Sequence, residues 1–215
     1  MESKLFTPVT FGPLTLRNRT IRSAAFESMC PGNAPSDMLL NYHRSVAAGG
    51  IGMTTVAYAA VTRSGLSFDR QLWMRPEIIP GLRRLTDAVH AEGAAAGIQL
   101  GHCGNMSHKS ICGCTPVGAS GGFNLYSPTF VRGLRADELP ELARAYGRSV
   151  NLAREAGFDA VEIHAGHGYL ISQFLSPATN HRKDEFGGSL QNRMRFMDMV
   201  LEEVMKAAGN DKIGR

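Results

Sequence analysis

The sequence of 215 residues has few of the features that mark secreted, membrane-bound or nucleic-acid-binding proteins. Its four cysteines are too few and too unevenly spaced for a disulfide scaffold, which favours a reducing, cytoplasmic location. There is no apolar run of roughly 18 residues and no apolar signal-peptide core, so we expect no contact with a membrane. The 23 lysines and arginines are scattered, and the net charge of +4 therefore does not indicate a nucleic-acid partner.

What the chain does contain is a recurring pattern, in which a helical stretch ends in alanine and glycine and a short apolar stretch follows. The glycines are Gly50, Gly93, Gly157 and Gly209. Glycine permits the left-handed backbone that ends a helix, and a continuous apolar stretch is typical of a parallel strand buried on both faces. Strand and helix therefore alternate from Thr20 onward, which predicts an α/β fold with a parallel sheet and helices outside it.

The helices of this repeat have readable ends and faces. Asp37 is the expected N-cap of the first helix and Ser189 that of the fourth. Three apolar stripes at helical spacing are expected to face the sheet. Their residues are Leu82, Leu85 and Val89; Leu139, Leu142, Tyr146, Val150 and Ala153; and Phe196, Val200, Leu201 and Val204.

Two segments interrupt the repeat. Residues 1–19 predict an N-terminal hairpin that turns at Gly12-Pro13, and residues 104–135, rich in glycine, serine and proline, predict a loop excursion after strand three. Four βα units are counted in all, and a fifth strand would begin at residues 212–215. Periodicity alone leaves a small flavodoxin-like sheet and half of a barrel equally open, because a complete (β/α)8 barrel needs eight strands.

Residues suited to chemistry follow the fourth strand. Alternation places Glu162 and His164 on one strand face, with His164 at the carboxyl end where α/β barrels build their active sites. His167 lies in a turn between two glycines, and Tyr169 follows, so the rings can converge. Two imidazoles and a phenol suit carbonyl binding with proton donation. The histidines also suit a metal site, together with Glu162, or a purely structural strand cap.

The segment that follows resembles the signature of the old yellow enzyme family of FMN-dependent oxidoreductases. The resemblance runs without a gap from His164 to Ser189 and continues through Asn192–Phe196. The segments Leu16-Arg-Asn-Arg19 and Gln99-Leu-Gly-His102 resemble further motifs of that family in the same order. Essentially the whole chain is covered, and the resemblance implies a (β/α)8 TIM barrel. Residues 1–215 would then be the N-terminal half of a single FMN-binding domain.

The resemblance also implies a reaction, in which NADH or NADPH reduces FMN and the flavin passes hydride to an activated alkene. The substrate would be a small enone or nitroalkene. His164 and His167 would bind its carbonyl oxygen, Tyr169 would protonate its α-carbon, and Gln99 would pair with the pyrimidine edge of the flavin. The remaining flavin contacts would come from Ser23, Ala24, Ala25, Ala60 and His164.

A cysteine cluster stands apart from these motifs. Cys112-Gly-Cys114, with Cys103 and His108 nearby in sequence, suggests a metal site, but the spacing matches no zinc pattern. We therefore expect no bound metal.

The number of βα units raises a separate expectation. Barrel phosphate sites are usually built by the loops after strands seven and eight, and only four units are counted here. We expect the chain to be a fragment, a truncated product or half of a partnered assembly. It should bind FMN weakly or not at all by itself, and open sheet edges should favour a homo-oligomer. The alternatives are a non-catalytic half-barrel assembly module and a metal-dependent barrel hydrolase.

Overall fold

The computed structural model describes residues 3–209, and its elements follow the order that the repeat predicts. The predicted start of a fifth strand at residues 212–215 lies outside these residues. The strands are β1 (Val9–Phe11), β2 (Leu14–Leu16), β3 (Ile21–Arg22), β4 (Met53–Ala60), β5 (Ala95–Gly101), β6 (Val117–Gly118), β7 (Gly122–Asn124), β8 (Thr129–Gly133) and β9 (Ala160–Ile163). The α-helices are α1 (Asp37–Ala48), α2 (Ile79–Ala91), α3 (Lys109–Cys112), α4 (Leu139–Glu155), α5 (Leu170–Leu175) and α6 (Leu190–Ala208). None of these helices is long and apolar enough to cross a membrane.

Four parallel strands form the main sheet in the order β3–β4–β5–β9. Met53 of β4 is paired on one side with Ile21 and on the other with Ala95. Gly97 of β5 then pairs with Ala160 of β9. Helices α1, α2 and α4 connect one strand of this sheet to the next. Strands that are neighbours in the sheet therefore also follow one another in the repeat, as in a parallel α/β fold. Before the main sheet begins, β1 and β2 pair as an antiparallel hairpin around Gly12.

The predicted helix ends are confirmed at the four repeat glycines, all of which have positive φ. The N-cap at Ser189 is also confirmed, since its side chain accepts a hydrogen bond from the backbone N–H of Asn192. The N-cap assigned to Asp37 is wrong. Ser36 holds the extended cap conformation, and its hydroxyl accepts from the N–H of Leu39 at 3.2 Å. Asp37 is instead the first helical residue, where its carboxylate interacts favourably with the positive end of the helix dipole.

The apolar stripes of α2 and α4 are buried as predicted, but two other burial predictions are wrong. Leu201 of α6 is 37% exposed, because it lies about 100° around the helix from the buried Val200. The prediction that the parallel strands are buried on both faces is wrong for β9, whose four residues are all partly or fully exposed. This strand is the edge of the described sheet, so nothing beyond it in residues 3–209 covers it.

Residues 104–135 are more ordered than the predicted loop excursion. They contain α3 and a three-stranded sheet in the order β6–β8–β7. In this sheet β8 runs parallel to β6 and antiparallel to β7.

Arg17 fastens the amino-terminal end of the main sheet to two helices. Its guanidinium donates to the carbonyl oxygens of Ala47 at 2.6 Å, Ile51 at 2.9 Å and Glu92 at 2.7 Å. Ala47 lies in the last turn of α1, and Glu92 follows the end of α2. One planar cation therefore donates charge-assisted hydrogen bonds to carbonyls from two successive βα units. Among the side chains, only that of arginine has the geometry to make all three bonds.

We predict that Arg17→Lys lowers the free energy of unfolding by about 1–3 kcal/mol, because an ammonium group cannot reach three divergent carbonyls at once. Urea denaturation monitored by circular dichroism measures the change. Arg19→Lys is the matched control, because Arg19 is exposed and its side chain makes one long hydrogen bond, to the Thr7 hydroxyl at 3.4 Å. The control should change stability by less than about 0.5 kcal/mol. Equal losses in the two variants would contradict the role given to Arg17.

Candidate active site

The structure brings three of the predicted residues together at the carboxyl edge of the sheet. The backbone N–H of His164 donates to the carbonyl of Leu100 at 2.9 Å and continues the β5–β9 ladder by one residue. The His164 ring centroid lies 4.9 Å from that of His167 and 4.8 Å from that of Tyr169. The His167 and Tyr169 rings are 6.3 Å apart. Two imidazoles and a phenol thus face one small volume.

The hydrogen bonds of His164 determine which nitrogens carry protons. Its Nδ1 accepts from the N–H of Gly166 at 3.2 Å, so the proton of the neutral ring is on Nε2. Nε2–H in turn donates to His167 Nδ1 at 3.0 Å, which leaves the His167 proton on Nε2. Burial, followed by the proximity of His167, lowers the pKa of His164. The His164 ring is therefore assigned as a neutral N–H donor, and each of the two rings carries an N–H group on Nε2.

Gln173 of α5 holds the turn that carries these rings. Its amide nitrogen donates to the carbonyls of Gly168 at 2.7 Å and Cys103 at 3.1 Å, and its amide oxygen accepts from the N–H of Asn105 at 3.2 Å. His167 itself has φ +55°, a left-handed conformation that is uncommon outside glycine. One buried amide thus ties the loops after β5 and β9 together. Sequence analysis did not single out Gln173, although it lies inside the family motif.

A hydroxyl pair beside Tyr169 was also missed. Ser67 Oγ lies 3.4 Å from the Tyr169 hydroxyl and 3.1 Å from the Tyr58 hydroxyl. Tyr58 also donates to the carbonyl of Gly65 at 2.8 Å. Burial raises the pKa of Tyr169, and the hydrogen bond with Ser67 opposes that rise. Ser67 and Tyr169 are 102 residues apart in sequence, so no local pattern could have paired them.

The small residues assigned to the flavin fall into two groups. Ser23, Ala24 and Ala25 directly follow β3, where Ser23 and Ala25 are exposed and Ala24 is half-buried. Ala60 differs, because it has no exposed surface and both of its backbone polar groups are bonded, to Leu72 and Met74. The structure places Ala60 in a small buried cluster with Tyr58, Leu66 and Cys103 rather than on the open face.

Gln99 lies on the inner face of β5, opposite Glu162 of β9. Its amide nitrogen donates to the Glu162 carboxylate at 2.5 Å. The proposed metal set of Glu162, His164 and His167 does not form here, since Glu162 is engaged by Gln99 and the histidines by each other. Across residues 3–209, no group of three or more His, Cys, Asp or Glu side chains is placed to hold a metal ion.

His102, the last residue of the motif that begins at Gln99, is a buried structural residue. Its Nδ1 accepts from the N–H of Gly104 at 3.0 Å, and its Nε2 lies 3.1 Å from the Ser64 hydroxyl. Burial lowers its pKa from 6.5 to about 4. The neutral ring joins the loops after β4 and β5 beside the candidate site.

We predict that this ring makes stability depend on pH. Between pH 6.5 and about 4 the unfolded chain protonates His102 and the folded chain does not, so stability is lost as the pH falls through this window. The loss can reach about 3 kcal/mol, since each pKa unit is worth ~1.4 kcal/mol. Urea denaturation at several pH values measures it. His102→Asn should flatten the dependence, whereas the control His181→Asn, at an exposed position, should not. An unchanged slope in His102→Asn would reject the assignment.

We also predict that Ser67→Ala raises the pKa of Tyr169, because the hydrogen bond that favours the phenolate is lost. Ultraviolet difference titration, with Tyr169→Phe subtracted to isolate this phenol, provides the measurement. Ser149→Ala is the control, since its buried hydroxyl bonds only to the carbonyl of Ala145 on its own helix. A lowered or unchanged pKa in Ser67→Ala would contradict the contact.

Comparison with known proteins identifies the fold and the family. A sequence profile of the NADH:flavin oxidoreductase / NADH oxidase family matches residues 4–215, and the chain belongs to this family. The structure of an old yellow enzyme homologue from Zymomonas mobilis superposes with a TM-score of 0.90 at 30% identity, covering 98% of this chain and 62% of that one. The sheet is therefore part of a TIM barrel, and the resemblance drawn from the sequence is confirmed.

Two curated relatives show the breadth of the family. A 4,4'-dithiodibutanoate disulfide reductase from Rhodococcus erythropolis is 44% identical over 206 residues, which are 96% of this chain and 51% of the relative. An NADPH dehydrogenase from Bacillus subtilis is 37% identical over 209 residues, 95% of this chain and 60% of the relative. The chain thus spans about half to three fifths of the length of these relatives.

Proposed function

We propose that residues 1–215 form the N-terminal half of one FMN-binding barrel domain, and that this half binds and protonates the substrate of an ene-reductase. The reaction is reduction of an activated alkene, an enone or a nitroalkene, with hydride from NADH or NADPH. The observation that carries the proposal is the cluster of His164, His167 and Tyr169, in which two imidazole rings and a phenol meet at the carboxyl edge of the sheet. Membership of a flavin oxidoreductase family supports it.

The residues at this edge fit a flat cofactor with a polar rim. Ser23 and Ala25 offer small, exposed side chains after β3. Gln99 presents an amide on the same inner face, with one donor and one acceptor for the pyrimidine edge, once it releases Glu162. FMN, when bound, would supply the hydride. The loops after strands seven and eight, where barrels bind phosphate, belong to the other half of such a domain.

The two histidines would bind the carbonyl oxygen of an enone. His167 Nε2–H is already turned away from His164, while His164 Nε2–H would move from His167 Nδ1 to the substrate oxygen. Both hydrogen bonds strengthen as negative charge develops on that oxygen, so they favour the transition state over the bound substrate. A neutral His164 serves this purpose, because its lowered pKa leaves it an N–H donor without a net charge.

Tyr169 would deliver the proton to the α-carbon. Its raised pKa keeps the phenol protonated at neutral pH, as a general acid requires. The Ser67 hydroxyl at 3.4 Å fixes the direction of the Tyr169 hydroxyl and links it to the hydroxyl of Tyr58.

The test separates the two half-reactions of the holoenzyme by anaerobic stopped-flow absorbance. Tyr169→Phe should slow oxidation of the reduced flavin by 2-cyclohexenone roughly 10²–10⁴-fold, because a general acid is lost. Reduction of the flavin by NADPH should stay within about threefold of the unaltered protein. Tyr126→Phe is the control, since that side chain is 92% exposed. An equal loss in both half-reactions would reject Tyr169 as the proton donor.

A second substrate class, small organic disulfides, is favoured by the Rhodococcus relative, which is a disulfide reductase. Cleavage of a disulfide releases sulfur leaving groups and needs no proton on carbon. Tyr169→Phe should therefore spare turnover of a disulfide while it slows turnover of an enone. Loss of both activities to the same extent would count against a proton-donating role that is specific to alkenes.

A further inference from the structure

A pair of thiols lies outside the candidate active site, in the segment between β5 and α4. Cys112 ends α3 and is 2% exposed, whereas Cys114 is exposed. Gly113 between them adopts the left-handed conformation, with φ +75°. The two Sγ atoms are 3.8 Å apart. The chain therefore turns back within one residue and holds two reduced sulfurs in contact.

This arrangement is asymmetric in the way that a redox dithiol requires. The sulfur of Cys114 reaches solvent, and that of Cys112 lies beneath it, bonded to the carbonyl oxygens of His108 and Cys114. A disulfide needs the sulfurs about 2.05 Å apart, so they must approach by slightly less than 2 Å. Side-chain rotation at the end of a four-residue helix can supply such a movement.

Cys114 also lines a cavity of about 770 Å³ with Thr115, His102 and Arg132. This volume suits a small-molecule ligand. Each acidic residue of the cavity wall forms an ion pair with at least one arginine. The pairs are Glu138 with Arg132, Asp137 with Arg135, and Glu141 with both Arg144 and Arg148. The wall therefore carries little unbalanced negative charge.

Arg63, in the loop after β4, is an unbalanced cation beside the dithiol. Its guanidinium packs against Gly113 so closely that a Cβ added there would lie 3.2 Å from the guanidinium carbon. Within the described residues, Arg63 makes neither a side-chain hydrogen bond nor an ion pair with an acidic residue. Such a group favours an anionic ligand over a neutral one at this position.

We propose that Cys112 and Cys114 form a redox-active dithiol that reduces small anionic disulfides by thiol–disulfide exchange. This activity requires neither flavin nor nicotinamide, and it does not depend on the proposed function. Arg63 would attract the carboxylates of the disulfide, and Cys114 would be the attacking sulfur because it is the exposed one.

The exchange balances in two steps. The Cys114 thiolate attacks one sulfur of the substrate, forms a mixed disulfide and releases the first thiolate. Cys112 then loses its proton, attacks Cys114 Sγ, breaks the mixed disulfide and releases the second thiolate. The protein dithiol is oxidised by two electrons and the substrate is reduced by two. The two protons that the cysteines lose are taken up by the two released thiolates, which become thiols.

The charges around Cys114 indicate how the rate should depend on pH. Burial, and next the neighbouring Cys112, raise the pKa of Cys114, whereas Arg132 and Arg63 act in the opposite direction. The thiolate is the attacking species, so exchange should accelerate as the pH rises above neutrality.

The experiment treats the purified protein, without NADPH, with oxidised glutathione and follows it by mass spectrometry of the intact protein and of its peptides. The unaltered protein should lose two hydrogen atoms, and the product should map to a Cys112–Cys114 disulfide that dithiothreitol reverses. Cys112→Ser should instead accumulate a stable glutathione adduct on Cys114. The Cys114→Ser variant should react at no more than about one tenth of the rate of the unaltered protein, because its remaining cysteines, Cys30, Cys103 and Cys112, are all buried.

Two controls keep the result interpretable if a variant folds poorly. Arg63→Gln should slow the reaction with oxidised glutathione roughly threefold and leave the reaction with the neutral 2-hydroxyethyl disulfide unchanged. Rapid alkylation of the unaltered protein should label Cys114 before the other cysteines, a test that needs no variant. A persistent adduct on the unaltered protein, or modification of Cys114→Ser at an undiminished rate, would overturn the proposal.

Discussion

The parallel pairing of β5 with β9 is the constraint on which the candidate site depends. Gln99 lies opposite Glu162, and two residues further on the N–H of His164 bonds to the carbonyl of Leu100. A slip of one residue would turn every side chain of β9 to the other face and send His164 toward the helices. The correct register instead delivers its ring to the carboxyl edge, beside the ring of Tyr58, which lies on β4 beyond β5. At the opposite end of the sheet, Arg17 fastens the segments that lead into β4 and β5.

Side chains in the loops then convert strand register into site geometry. Gln173 joins the loops after β5 and β9, and Ser67 brings the loop after β4 to the Tyr169 hydroxyl. Each group is buried and bonded to two or more partners, so the loops are held in place before any ligand binds. Packing among Tyr58, His164 and Tyr169 adds apolar contact to these bonds. The positions of the candidate catalytic rings thus depend on residues, such as Gln173 and Ser67, that are assigned no direct part in the reaction.

The repeat of helix, glycine and apolar strand was sufficient to predict the sheet and the buried faces of α2 and α4, because both follow from local periodicity. The convergence of His164, His167 and Tyr169 was predictable for the same reason, since all three lie within six residues of sequence. What could not be predicted depends on tertiary contacts. Neighbouring serine and aspartate compete for one N-cap, so Ser36 was missed, and the long-range contacts of Ser67 and the burial of Ala60 leave no trace in local sequence.

The proposed reaction requires above all that His164 and His167 bind one oxygen atom together. A double-mutant cycle on ligand binding measures this, with dissociation constants of 2-cyclohexenone determined for the complete FMN-loaded barrel domain and for its His164→Ala, His167→Ala and double variants. We expect strong coupling, in which the double variant binds little more weakly than either single variant, because one histidine alone cannot hold the oxygen in place. Losses that add independently within about 0.3 kcal/mol would contradict a shared site.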